Sequence, residues 1–183
     1  MASGEAQDWV HAHLSGWSAG RQKLAADLIA RYGPPQEQTA RELVWLSRAP
    51  WTRIVLHREG IPHNFPLRHE DVLAQTVSYR VPPEKLADLA AYDGSLVVDH
   101  TRGELTAHCD AELTNTIMLN LADEIVRGER SPDEALAYHA QLVRAMQTHS
   151  PESYGSKLRF TPAPSAQAAD PGMEAELLKH LGE

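Results

Sequence analysis

The chain has 183 residues, enough for one domain with a sizeable core and short for two. Its formal net charge of -8 excludes nucleic acid as an expected partner, because affinity for a phosphate backbone comes largely from Lys and Arg releasing counterions. No apolar run approaches the roughly 20 residues that span a bilayer, and the first residues hold no basic region followed by an apolar one, so the expectation is a soluble, cytoplasmic protein without membrane contact.

In chain order, residues 1–17 carry Trp9, Val10, Leu14 and Trp17 in a polar background and read as a short helix or arm laid on the domain. From Ser18, the residues Leu24, Ala25, Leu28, Ile29 and Tyr32 recur at three- and four-residue steps. That spacing predicts one helical face, stopped by Gly33, Pro34 and Pro35. Branched and aromatic residues over 43–46 and 52–57 predict a hairpin with Leu43, Trp45, Ile54 and Leu56 turned inward. A loop over 59–71 follows, then a strand near 76–81. Pro82 and Pro83 open a helix over 84–92, where the missing N–H costs nothing.

Residues 96–100 and 104–109 form the clearest hairpin, since Gly103 permits a positive φ in its turn. Alternation places Leu96, Val98, His100, Leu105, Ala107 and Cys109 on one face, with Val97, Asp99, Thr106 and His108 on the other. Asp110 is the expected cap of a helix with the stripe Leu113, Ile117, Leu121 and Ile125. Ser131-Pro132-Asp133-Glu134 is a capping box, and the helix it starts carries Ala135, Leu136, His139, Leu142, Val143 and Met146 on one stripe. Proline, serine and alanine over 149–172 predict a linker, and 173–183 a short amphipathic helix too small to be stable alone. Removing residues 150–183 should leave the thermal midpoint nearly unchanged while altering oligomeric state or partner capture, because that helix offers its apolar face to this domain, a protein partner or a second copy of the chain. The domain proper is therefore expected over 18–148, as an α+β fold: an antiparallel sheet built from two hairpins with helices packed on one face.

Several phrases stand together: Tyr32-Gly33-Pro34-Pro35, the Trp45 and Pro50-Trp51 hairpin, Pro62-His63-Asn64-Phe65-Pro66, Tyr79-Arg80-Val81-Pro82-Pro83-Glu84-Lys85, Tyr92-Asp93-Gly94-Ser95, Cys109-Asp110 and Leu119-Asn120-Leu121-Ala122. They resemble a family of uncharacterised bacterial proteins, and the likeness runs from about Trp17 to Gln141. The resemblance implies a compact domain over that span. It implies no activity and no catalytic residue.

Ten histidines against two phenylalanines make imidazole the functional group in surplus. His57, His63 and His69 follow one another at six-residue steps, with Glu59, Glu70 and Asp71 nearby. Imidazole and carboxylate suit zinc, iron or nickel, and three such ligands with a bound water make a hydrolytic site. The helical HExxH spacing is absent, and three loop-anchoring histidines are the other reading. Arg58 and Arg68, with Trp51, offer a pocket for a carboxylate or phosphate, or else are strand-edge charges beside an aromatic. Asp99 and His108 lie diagonally across the second hairpin and can support a site as a carboxylate-oriented imidazole, or be an ordinary cross-strand pair.

The single cysteine, Cys109, excludes an internal disulfide and any multi-cysteine metal site, and is read as structural. His139 sits in an apolar stripe, either as a core histidine with one hydrogen bond or facing a pocket between helix and sheet. No motif names a cofactor. The leading function is a non-catalytic binding or accessory protein acting through protein contacts; the alternative is a metal-assisted hydrolase using the loop histidines.

Overall fold

The computed structural model describes residues 3–148 and 153–163; the helix expected over 173–183 and most of the linker lie outside the described residues. The helices are α1 Ser3–His13, α2 Ala19–Tyr32, α3 Leu86–Tyr92, α4 Glu112–Val126 and α5 Pro132–Thr148. The strands are β1 Glu37–Gln38, β2 Glu42–Arg48, β3 Trp51–His63, β4 His69–Ser78, β5 Leu96–Asp99 and β6 Glu104–Cys109. They form one antiparallel sheet in the order β1-β2-β3-β4-β6-β5, so the fold is α+β and β4 joins the two expected hairpins.

Leu43, Trp45, Ile54 and Leu56 are fully buried, on the sheet face that the helices cover. Leu73, Val77, Leu105 and Ala107 continue that face across the sheet. The end of α2 is pinned there by Trp45, whose Nε1 donates to the Gly33 carbonyl at 2.8 Å. Gly33 closes α2 at φ 79, a conformation in which any side chain would be strained. A buried polar crosspiece ties α2, β4 and α4 together, because every buried polar group needs a partner. The Tyr32 hydroxyl and Gln75 Nε2 both donate to Glu112 Oε2 at 2.7 Å, and Asn115 Nδ2 donates to the Leu73 carbonyl at 2.9 Å.

Three elements differ from expectation. First, β4 begins at His69 and ends at Ser78, well before the strand expected near 76–81. Residues 71–77 are all buried, so this central strand lacks the polar alternation by which a half-buried strand is recognised. Second, α1 is part of the core, with Val10, Leu14 and Trp17 in the main apolar cluster. Third, the start of the expected linker folds onto α4: Tyr154 is 3% exposed, and Leu158 and Phe160 pack against the core. Asn120 secures it, giving Nδ2 to the carbonyls of Tyr154 and Lys157 and accepting from the Arg159 N–H at Oδ1. Asp110 does not cap α4; the cap position is Ala111, and Asp110 instead accepts from the Thr114 hydroxyl at 3.1 Å.

The β3–β4 ladder is interrupted in a way that shapes the site. His57, Arg58, Glu59 and Gly60 lie between the pairs Leu56↔Leu73 and Ile61↔Asp71, which on β4 are separated by Val72 alone. Such a bulge bends the strand and re-aims the residues beyond it. Gly60 lets the two strands close: a Cβ there would stand 2.6 Å from Val72 Cγ1 and 2.8 Å from Glu70 Cβ. Because Val72 is buried and branched, it cannot swing away. Gly60→Ala should cost about 1–3 kcal/mol, the usual penalty for overpacking, in a denaturant unfolding curve. A variant as stable as the parent would show that the bulge has slack.

Candidate functional site

Beyond the bulge, β3 and β4 end in the pair His63↔His69, joined by a turn over 64–68 that contains Pro66. Asp71 lies two residues along β4, on the same face as His69. The loop expected over 59–71 is thus mostly hairpin, which holds its histidines on paired backbone.

His63, His69 and Asp71 each offer a ligand atom within 4.8 Å of the others, as a group of three suited to a metal ion among the described residues. Their side chains are 25%, 12% and 7% exposed, so the group is largely but not wholly withdrawn from solvent. His69 is oriented at both nitrogens. Nδ1 lies 2.8 Å from the Leu67 carbonyl, which can only accept, so the ring carries a proton there. Nε2 faces Asp71 Oδ1 at 3.0 Å and Cys109 Sγ at 3.4 Å. On the other carboxylate oxygen, Ser95 Oγ donates to Asp71 Oδ2 at 2.6 Å, and His63 Nδ1 lies 3.4 Å from that oxygen. Ser95 comes from the turn before β5, where its own N–H donates to Asp93 Oδ1 at 2.9 Å. Asp93 is 5% exposed, its Oδ2 has no hydrogen-bond partner among the described residues, and burial pushes its carboxyl above the usual range.

Cys109 is 4% exposed, and burial pushes its thiol up to about 12. It is a thiol at neutral pH, and Asp71 and Cys109 both approach the same nitrogen of His69, so these three do not form a nucleophile–base–orienter relay. A thiol reagent should label the native protein slowly and the unfolded protein at once. Rapid stoichiometric labelling at neutral pH would contradict this burial.

The back wall of the site is α5. His139 is 1% exposed, stands edge-on to Phe65 with ring centroids 5.4 Å apart, and places Nδ1 3.1 Å from the Tyr92 hydroxyl. Burial, followed by the nearby His69 and His63, lowers its pKa to about 4. From about 6.5 down to about 4, therefore, the unfolded chain binds a proton that the folded ring refuses. This group costs no stability above that window, and as pH falls through it the protein loses up to about 1.4 kcal/mol per pH unit. Asp93, with a raised pKa, acts in the opposite sense. His139→Leu should flatten the acid limb of a stability–pH profile; parallel profiles for variant and parent would refute the assignment.

A cavity of about 330 Å3 lies between this wall and the hairpin tip, lined by Leu67, Arg68, His69, Cys109, Thr114 and His139 among others. A wider, more open groove of about 700 Å3 runs on the other side of His69 towards Arg21 and Lys23 of α2.

The remaining residues singled out from sequence lie elsewhere. His57 is on the open sheet face, with Nδ1 3.1 Å from Glu42 Oε1 and its ring 6.5 Å from that of His108. The bulge is the reason. Leu56 and Ile61 share a face though five residues apart, so strand parity reverses between His57 and His63. Arg58 donates to the Gly16 carbonyl, and Trp51 is a core residue that donates to the Tyr32 hydroxyl at the far end of β3. Arg68 alone of that set borders the cavity. Asp99 and His108 are not brought together: Asp99 pairs with Glu104 and holds Arg102, whereas the His108 N–H donates to the Ser95 carbonyl. Sequence reasoning missed Ser95, although it lies in one of the phrases that carry the resemblance, as do His63, Asp93 and Cys109.

No protein-family model, curated protein or solved structure matches this chain.

Proposed function

We propose that this protein binds a divalent transition metal, zinc foremost, through His63, His69 and Asp71, and that it is a metal-assisted hydrolase. The observation that carries the reading is the orientation of His69. With the ring proton held on Nδ1 by the Leu67 carbonyl, Nε2 turns its lone pair towards a carboxylate oxygen 3.0 Å away. Two acceptors facing each other at that distance require positive charge between them, supplied by a second ring proton or by a metal ion. A backbone carbonyl on the far nitrogen is the usual support of a metal-bound histidine. The chemistry agrees, since two imidazoles and a carboxylate form a neutral-to-anionic donor set suited to zinc, iron or nickel and leave coordination positions for water and substrate. Zinc held by these residues would lower the pKa of its water to near 7 and so supply the nucleophile for hydrolysis.

Metal analysis of the untagged, full-length protein tests this directly. The expected result is one zinc, iron or nickel ion per chain, or one zinc taken up after dialysis. Protein that stays metal-free at micromolar zinc would overturn the reading and leave His69 Nε2 and Asp71 Oδ1 as a hydrogen-bonded pair.

A second reading, a non-catalytic accessory protein acting through protein contacts, is supported by the open edge of the sheet at β5, where Val97 is half exposed. Val97→Lys should then weaken association measured by sedimentation. Unchanged association would remove that support.

A further inference from the structure

We propose that the 330 Å3 cavity beside His69 is the substrate pocket of this site, and that it takes a small molecule carrying a carboxylate on an apolar body. The substrate role rests on the metal reading above; the binding chemistry stands on the cavity itself. His139 provides the key donor. The Tyr92 hydroxyl is buried, and its partner among the described residues is His139 Nδ1, so its proton points there and the ring proton sits on Nε2. That N–H belongs to a side chain 1% exposed and has no acceptor among the described residues. An orphaned buried donor is costly unless something accepts from it, and His139 is one of the residues that line this cavity. Arg68, exposed at the mouth, adds a guanidinium fork suited to a carboxylate. Leu67, Pro66 and Val143 supply the apolar wall.

The cavity's own carboxylate, Asp110, is approached by the Thr114 hydroxyl and the Cys109 thiol at Oδ1 alone, so a bound carboxylate has to compete with it for Arg68. The volume lies at the small end of the range for ligand sites, which limits the body to about the size of one ring. His69 lines the same cavity, so a carboxylate held between Arg68 and His139 sets the rest of the molecule beside the proposed metal ligands.

Benzoate and its uncharged analogue benzyl alcohol are suitable probes, titrated by NMR into the full-length protein with a chelator present. Benzoate should shift the amide signals of Leu67, Cys109, Thr114 and Val143, and both Arg68→Met and His139→Leu should weaken it at least tenfold. Benzyl alcohol should bind the parent and the two variants alike. If His139→Leu fails to fold, Arg68→Met decides, since that side chain is exposed. Equal benzoate affinity in parent and variant, or no shift at those amides, overturns the pocket. Because these titrations are done without metal, failure to bind zinc would sink the metal reading and leave the result on the pocket intact.

Discussion

Zinc will raise the thermal midpoint of the parent protein and leave that of Asp71→Asn or His69→Ala unchanged. A ligand that binds only the folded state stabilises it by mass action, by about 2.7 kcal/mol at a hundred times its dissociation constant. Asp71 contacts both proposed imidazole partners and is 7% exposed, so its charge is the principal anion within the group. Losing it should weaken zinc at least a hundredfold, above the ten- to hundredfold typical of residues that merely support a ligand. Ser95→Ala should fall within that lower range, because Ser95 only fixes Asp71 Oδ2 through its hydroxyl. His57→Ala should have no effect, since the bulge puts that ring on the other face of the sheet. An equal loss on replacing His57 would show that the metal sits elsewhere.

Contrary to the expectation from sequence that the segment after 148 can be removed without loss of stability, a chain ending at residue 148 will be less stable than one ending at residue 163 by several kcal/mol, because Tyr154, Leu158 and Phe160 pack on the core. Between those ends lies Tyr154, 3% exposed, whose hydroxyl donates to Glu124 Oε1 at 2.7 Å and whose ring meets Tyr138 edge-on at 5.4 Å. Truncating a buried aromatic to alanine typically costs about 3–5 kcal/mol. Shortening the chain also strips Asn120, which is 1% exposed, of its three backbone partners. Leaving such a buried amide unpaired costs a further 1–3 kcal/mol or so. Against a whole-domain stability of about 5–15 kcal/mol, the shorter chain should be partly unfolded at ambient temperature. Equal urea midpoints for the two chains would contradict the packing of 153–163 on α4.

Local pattern was a good guide wherever one face alone is buried. The stripe of α2 and the alternation of β2 with the first half of β3 were legible, and so was the second hairpin, where Gly103 takes φ 63 in the turn. The capping box of α5 is also as read: the Ser131 N–H donates to Glu134 Oε2 at 2.8 Å. The pattern failed where burial is two-sided or the ladder is irregular. β4 is buried along 71–77 and therefore shows no period, and the register shift after Leu56 has no signature beyond a glycine at position 60. Tyr154, Leu158 and Phe160 were hidden among proline, serine and alanine because their partners on α4 are distant in sequence.

For the site, residue type and spacing pointed to His63 and His69 and set Asp71 beside them. They could not separate His57, whose exclusion depends on the bulge. Nor could they supply Ser95, which reaches Asp71 only because β5 and β6 bring the turn after Asp93 alongside. His139 was legible as a polar residue in an apolar stripe; its partner Tyr92 lies on α3, a contact between elements far apart in the chain.

The most direct test of the central claim is an anomalous-difference map from crystals of the full-length protein soaked in zinc. A single strong peak is expected between His63, His69 and Asp71, about 2.0–2.2 Å from His69 Nε2 and from a carboxylate oxygen of Asp71. A map without a peak there, with His69 Nε2 still 3.0 Å from Asp71 Oδ1, would show a charged hydrogen bond in place of a metal site.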